Sequence, residues 1–88
     1  MGYIYSSLGF RPTGTLVRID LQGTEANAFL LDDANYAQYR SGRAYRYFGG
    51  HYRASPVHLA VPYASTWHVV VDLGGLAGRI EASIRVVS

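Results

Sequence analysis

Apolar and polar residues alternate with a period of two along most of this 88-residue chain. The alternation is clearest at residues 15–21, 57–61, 67–73 and 80–86, where one of the two alternating sets is mostly apolar. Successive side chains of a β-strand point to opposite faces, so this pattern predicts strands that each bury one face. Residues 26–31 form a more uniformly apolar run, which is typical of a strand covered on both faces.

The links between these segments are short and suggest how the strands pair. The link at residues 22–25 predicts a hairpin between the strands on either side of it. A second hairpin across residues 62–66 would pair Val61 with Trp67. The glycine-rich residues 74–79 lack both the Gly-Lys-Ser/Thr ending of a P-loop and a following helix, so they predict a plain hairpin turn.

A short helix is predicted at residues 34–41. Asp32 and Asp33 can accept hydrogen bonds from the free backbone donors of its first turn, and Gly42 can adopt the left-handed conformation that ends it. Eight residues are too few for a helix that is stable alone, so an irregular loop held by its tyrosines is the alternative. The helical interpretation places three side chains on one face: Tyr36, Tyr39 and Arg40.

The next segment is rich in arginine and tyrosine and is interrupted by Gly49 and Gly50. A glycine pair suits a two-residue turn, so residues 44–48 and 51–53 predict a hairpin with Arg46 opposite Arg53. Directly opposed like charges destabilise a strand pair, so an anion lying between them, such as a carboxylate, phosphate or nucleotide, would explain the arrangement. The alternative is a bulge at the glycines, with the arginines splayed into solvent over a tyrosine-packed face.

Tyrosine and arginine are enriched at the cores and hot spots of protein interfaces. Their concentration in this segment therefore predicts a binding surface. The candidate residues are Tyr39, Arg40, Arg43, Tyr45, Arg46, Tyr47, Phe48, His51, Tyr52 and Arg53.

No catalytic constellation stands out, so we expect no enzymatic activity. The Gly-x-Ser-x-Gly motif is absent, and Ser41 and Ser55 precede Gly42 and Pro56 as turn residues do. Pairing of Val61 with Trp67 would set His58 and His68 on diagonal positions, with Asp72 on the same face. Exposed histidines are far commoner than zinc or copper sites, so neither a metal nor another cofactor is predicted.

Composition narrows the setting of the protein. The chain has no cysteine and therefore no disulfides, which favours the cytoplasm, and no stretch long and apolar enough for a membrane span. All eight basic residues are arginine, which reflects either a GC-rich genome or a need for planar, bidentate contacts to anions. A net charge of +2 makes nucleic-acid binding an unlikely function.

Six to seven or more short, mainly antiparallel strands with at most one short helix predict an all-β protein. At this length residues 1–88 form a single domain, and the expected architecture is a small β-sandwich. The loop that ends in Ser65-Thr66-Trp67 and opens an apolar strand is similar to jelly-roll sandwiches of the prepeptidase C-terminal kind. That likeness concerns architecture and implies no function.

Several motifs together resemble a bacterial family catalogued as domain of unknown function 1883. They are Tyr3-Ile4-Tyr5-Ser6, residues 27–32, Tyr39-Arg40-Ser41-Gly42-Arg43, residues 45–50, Ser55-Pro56-Val57 and residues 67–75. Members occur alone or attached to Toll/interleukin-1 receptor domains, so the resemblance implies sensing or assembly in bacterial signalling or defence. It implies no catalytic residues.

The expected function is that of a non-enzymatic recognition or self-assembly module. Its partner would be another protein or a second copy of the chain, bound through the arginine- and tyrosine-rich surface. The alternative is a binder of an anionic small molecule, a nucleotide or single-stranded nucleic acid.

Overall fold

Two antiparallel β-sheets enclose the hydrophobic core. The computed structural model describes residues 3–23, 25–74 and 78–87, and within them the chain forms seven strands and one helix. The elements are β1 (Ile4–Arg11), β2 (Leu16–Gly23), β3 (Ala26–Asp32), α1 (Asp33–Arg40), β4 (Phe48–Tyr52), β5 (Val57–Ala60), β6 (Ser65–Asp72) and β7 (Ile80–Val86). The predicted all-β sandwich with one short helix is confirmed, whereas the closer likeness to jelly rolls remains a prediction.

The chain alternates between the two sheets at almost every connection. The four-stranded sheet has the order β1-β6-β3-β4, and the three-stranded sheet has the order β5-β2-β7. The exception is the connection from β3 to β4, which runs through α1 and returns to the same sheet beside β3. As a result α1 and the following loop stay together on one side of the four-stranded sheet.

This alternation overturns the predicted hairpins. Strand β2 pairs with β5 and β7, whereas β3 pairs with β4 and β6, so the link at residues 22–25 crosses between sheets. Val61 and Trp67 are not paired either, because β5 and β6 belong to different sheets. The glycine-rich link before β7 also joins different sheets and is no hairpin, and residues 75–77 of it lie outside the described part. Alternation shows which face of a strand is buried but not which strand lies beside it.

Side chains from both sheets fill the core as the alternation predicts. Val17 and Ile19 of β2 are fully buried, as are Trp67, Val69 and Val71 of β6. On β7 the apolar set packs against this core while the polar set faces solvent. The inward residues of β7 are Ile80, Ala82, Ile84 and Val86.

Strand β1 was not predicted from the sequence. Its alternation is broken by a bulge, since its register against β6 shifts between Ser7 and Gly9. Gly9 has a φ of 71°, which favours glycine, and with the two serines it lowers the apolar content of the segment. The strand nevertheless pairs with β6 along its length and places Tyr5 on the outer face of the four-stranded sheet.

Helix α1 confirms the helical interpretation over the loop. The side chain of Asp32 caps it by accepting a hydrogen bond from the backbone N–H of Asn35 at 2.9 Å. Gly42, with a φ of 73°, turns the chain away after the last helical turn. No helix within the described ranges is long and apolar enough to cross a membrane.

Strand β4 runs straight through Gly49 and Gly50, so the predicted hairpin at this point is wrong. Phe48 lies opposite Leu30, and Gly49 lies opposite Phe29. A Cβ atom at Gly49 would come within 2.2 Å of the Ala28 carbonyl oxygen and 2.8 Å of the Phe29 Cβ. The glycine therefore permits a close approach of β4 to β3 and does not reverse the chain.

Candidate functional site

The outer face of the four-stranded sheet carries a second, aromatic layer. Phe29, Leu31 and Val70 are buried there beneath the helix and the loop that follows it. We call the rings on this face the aromatic layer: Tyr3, Tyr5, Phe29, Tyr36, Tyr39, Tyr45 and Tyr47.

Phe29 is the centre of one half of the aromatic layer. Its ring centroid lies 5.7 Å from that of Tyr39, 6.1 Å from that of Tyr45 and 5.4 Å from that of Tyr47. Such ring pairs each add roughly 0.5–1.5 kcal/mol beyond the area they bury. A strand was predicted at residues 44–48, but residues 44–47 are held against the sheet by their tyrosines instead of by a ladder of hydrogen bonds.

His68 lies in the other half of the aromatic layer and is buried. Its Nδ1 is 2.8 Å from the hydroxyl oxygen of Tyr5, and its Nε2 is 2.7 Å from Oδ1 of Asp33. The ring of Tyr36 stacks on it with the centroids 4.7 Å apart. Since His58 belongs to the other sheet, the diagonal pair of histidines considered as metal ligands does not exist.

Asp72 is a hub of hydrogen bonds at the edge of the aromatic layer. Its Oδ2 accepts from the Tyr39 hydroxyl at 2.7 Å, and its Oδ1 accepts from Asn27 Nδ2 at 2.9 Å. The backbone N–H of Gly74 donates to the same Oδ1 at 3.0 Å. The carboxylate is thereby fixed in one orientation.

His51 extends this network along β4. Its Nδ1 lies 2.9 Å from Asn27 Oδ1, and its Nε2 lies 3.0 Å from Glu25 Oε1. Through these two contacts His51 joins Asn27 to Glu25. Glu25 also pairs with Arg53 at 3.3 Å, and the hydrogen bond from His51, assisted by Arg53, holds the pKa of Glu25 below its usual value.

A cavity of about 270 Å³ opens between the aromatic layer and these polar groups. It lies over β3, β4 and the end of β6, and the loop after α1 forms one of its walls. Its lining consists of Asn27, Phe29, Tyr45, Tyr47, Gly50, His51, Asp72 and Gly74.

Three arginines of α1 and the loop after it are absent from the described lining of this cavity. The loop is anchored to α1 because the N–H of Arg43 donates to the Gln38 carbonyl and the N–H of Arg46 donates to Asn35 Oδ1. The guanidinium of Arg40 stands 5.7 Å from the centroid of the Tyr36 ring. We call these three exposed side chains the arginine rim: Arg40, Arg43 and Arg46.

Burial and hydrogen bonding shift the tyrosine pKa values in this region. Burial, followed by the hydrogen bond to the Asp72 carboxylate, raises the pKa of Tyr39 well above its usual value. Burial also raises the pKa of Tyr36 to about 12, with a contribution from its contact with Tyr3. These phenols are therefore neutral across the ordinary pH range.

The structure divides the predicted binding residues among three places. Tyr39, Tyr45 and Tyr47 belong to the aromatic layer beside the arginine rim. His51 belongs to the hydrogen-bond network beside the cavity, and Arg53 forms an ion pair with Glu25 next to that network. Tyr52 packs against the main core, and Phe48 contacts Trp67 with ring centroids 5.8 Å apart. The predicted pairing of Arg46 with Arg53 is wrong, because Gly49 and Gly50 form no turn.

Sequence reasoning missed Asn27, Phe29 and Asp72 as members of this site. Asn27 carries a signal, since it is the one polar side chain inside the apolar run at residues 26–31. Asp72 was correctly assigned to the outward face of its strand. Nothing in the pattern indicated that β3 and β6 are neighbours, and that pairing brings the two side chains together.

Comparison with known proteins adds one finding. No curated protein and no solved structure matches the chain. The model of one family matches residues 1–88, as the motifs around Gly49 and Trp67 suggested. The chain belongs to the family described as domain of unknown function DUF1883.

Proposed function

We propose that this chain is a non-enzymatic recognition module that binds an acidic segment of a partner protein through its arginine rim. One observation carries the proposal. Arg43 and Arg46 are exposed and make no ion pair within the described part of the chain, although the loop that bears them is fixed. Unpaired guanidinium groups on an anchored loop are available for bidentate contacts with carboxylates.

The surroundings of the rim support binding to a protein. Asn35, Ala44, Tyr45 and Arg46 line an open depression of about 390 Å³ between α1 and the loop. Tyr47 nearby is 52% exposed although it packs on Phe29. The tyrosine rings and the backbone of the loop are already held in place, so they lose little conformational freedom on binding.

A second copy of the chain is the alternative partner. Asp33, at the opposite end of α1 from Arg40, has a side chain that is 75% exposed and would be the carboxylate offered to the rim of another copy. The hypothesis that the chain binds an anionic small molecule rested mainly on Arg46 facing Arg53, and these two residues do not face each other. The polar groups of the outer face are mostly bonded to one another, which favours recognition over catalysis.

The cellular setting is part of the same proposal. The absence of cysteine favours the cytoplasm, since small secreted domains usually depend on disulfides. The family resemblance favours a bacterial signalling or defence system in which this chain recognises or assembles other components.

A selection from a displayed random-peptide library tests the proposal. We expect the selected peptides to be enriched in Asp and Glu and to lose at least about tenfold in affinity for the Arg43→Ala/Arg46→Ala variant. The charge-matched control is Arg53→Ala/Arg85→Ala, which should bind like the wild type. Selected peptides that lack acidic residues, or equal loss in both variants, would contradict the proposal.

Light scattering tests the alternative partner on the same proteins. Self-association that disappears in Arg43→Ala/Arg46→Ala but persists in the control would identify the partner as a second copy. Self-association that both variants retain would exclude the rim from it.

A further inference from the structure

The cavity beside the aromatic layer has walls suited to an organic group. The rings of Phe29 and Tyr45 stack with an interplanar angle of 22°, and the ring of Tyr47 is tilted by 52° to Tyr45 and 56° to Phe29. One wall of the cavity therefore consists of three adjoining aromatic rings, of which Tyr47 is tilted relative to the other two. Ring faces attract cations because the negative part of their quadrupole lies there.

The polar side of the cavity holds a carboxylate with remaining capacity. Within the described residues, Asp72 Oδ1 accepts two hydrogen bonds, whereas Oδ2 accepts one, from the Tyr39 hydroxyl. A carboxylate offers about four acceptor positions, so part of Oδ2 is left to face a positively charged ligand. Gly74 contributes to this arrangement, because a Cβ atom there would come within 2.7 Å of Asn27 Nδ2.

The charges around the cavity select against anions. Asp72 is the acidic residue in its lining, and no arginine is among the lining residues that the structure describes. The positive charge of Arg53 is paired with Glu25, which is also hydrogen-bonded to His51. The field of Asp72 also reaches the cavity wall, since burial and then the Asp72 carboxylate raise the pKa of Tyr45.

We infer that this cavity is a binding site for an alkylated ammonium group. The ligand would place its positive charge against Asp72 Oδ2 and its alkyl substituents against Phe29, Tyr45 and Tyr47. A bare divalent cation fits poorly, because no cluster of three or more acidic or histidine side chains suited to a metal occurs in the described ranges. The arginine rim is absent from the described lining of this cavity, so the inference is independent of the proposed function.

Choline and its neutral isostere 3,3-dimethyl-1-butanol test the inference directly. Titrations followed by NMR should show choline shifting the signals of the cavity residues and binding at least about fivefold more tightly than the alcohol. Asp72→Asn should abolish this preference. Asp20→Asn is the matched control, because it removes the same charge from the three-stranded sheet, where Asp20 pairs with Arg18.

A second variant covers the case in which Asp72→Asn does not fold. Tyr47→Leu removes a ring that is half exposed and should weaken choline binding while leaving the isostere little changed. Equal affinity for the two probes, tighter binding of a methyl glycoside than of choline, or no choline binding at all would overturn the inference. Arg43→Ala/Arg46→Ala should bind choline as the wild type does. A negative result for peptide recognition by the arginine rim can therefore be told apart from a negative result for the ammonium site.

Discussion

Gly49 shows how one residue position sets the shape of this site. Its backbone lies against Phe29 and the Ala28 carbonyl, with no room for a Cβ atom. We expect Gly49→Ala to destabilise the protein by more than about 2 kcal/mol, because β4 would have to move away from β3. The free energy of unfolding from urea titration measures the effect.

Gly50 is the matched control for that change. The atom nearest to a Cβ at Gly50 is the Tyr52 hydroxyl oxygen, 4.0 Å away, so Gly50→Ala should cost less than about 1 kcal/mol. Equal losses at the two positions would contradict the pairing of β4 with β3. From the sequence alone a glycine pair is ambiguous, because a tight turn and a close approach of two strands both require glycine.

Asp32 links a single side chain to the acid stability of the protein. Burial raises its pKa, but hydrogen bonds from Tyr63 and Asn35 outweigh burial and hold it below the usual 3.8. A carboxyl group whose pKa is lowered in the folded state stabilises the protein at any pH above the unfolded-state pKa of that group. This contribution is lost as the pH falls through the folded-state pKa.

Asp32→Asn should therefore make stability fall less steeply as the pH drops from about 5 to about 2. Asparagine also caps helices well, so the helix itself should persist. Urea titrations across this range measure the slope. A steeper slope for Asp32→Asn would contradict the hydrogen-bond network.

At the scale of elements, helix α1 and the strands that bury one face were predictable for physical reasons. Capping by Asp32 is a local property, and alternation records which face of a strand is buried. Strand β1 was not predicted because its bulge at Gly9 interrupts the alternation. The pairing partners of β2 and β3 could not be predicted. A short link can turn back within one sheet or cross to the other sheet, and both arrangements bury the same side chains.

The candidate site was predictable in composition but not in arrangement. The enrichment in arginine and tyrosine drew attention to residues 39–53, which contribute several members of the proposed site. The three regions within it depend on contacts between distant parts of the chain, such as the bond between Asn27 and Asp72. No local pattern encodes a contact across 45 positions.

At the scale of the whole molecule, the aromatic layer couples stability to alkaline pH. Burial raises the pKa of Tyr36 and Tyr39, and the hydrogen bond to Asp32 raises that of Tyr63. A tyrosine whose pKa is raised in the folded state stabilises the protein at any pH below the unfolded-state pKa of about 10. This contribution is lost as the pH rises through the folded-state pKa.

We therefore expect unfolding at alkaline pH to coincide with tyrosine ionisation. Phenolate absorbance and circular dichroism, recorded together above about pH 10, should share a cooperative step that belongs to the tyrosines with raised pKa values. Tyr36→Phe cannot ionise, so this variant should shift the transition to higher pH if it folds as the wild type does. Ionisation of most tyrosines before any loss of structure would contradict the buried aromatic layer.

The claim that the arginine rim is the recognition surface is tested most directly by mapping a bound acidic peptide onto the labelled protein by NMR. The account predicts that signals of residues 40–47 and of α1 shift, that the shifts shrink as salt is added, and that Arg43→Ala/Arg46→Ala abolishes them. Shifts confined to the three-stranded sheet, or shifts that survive the double substitution, would contradict it.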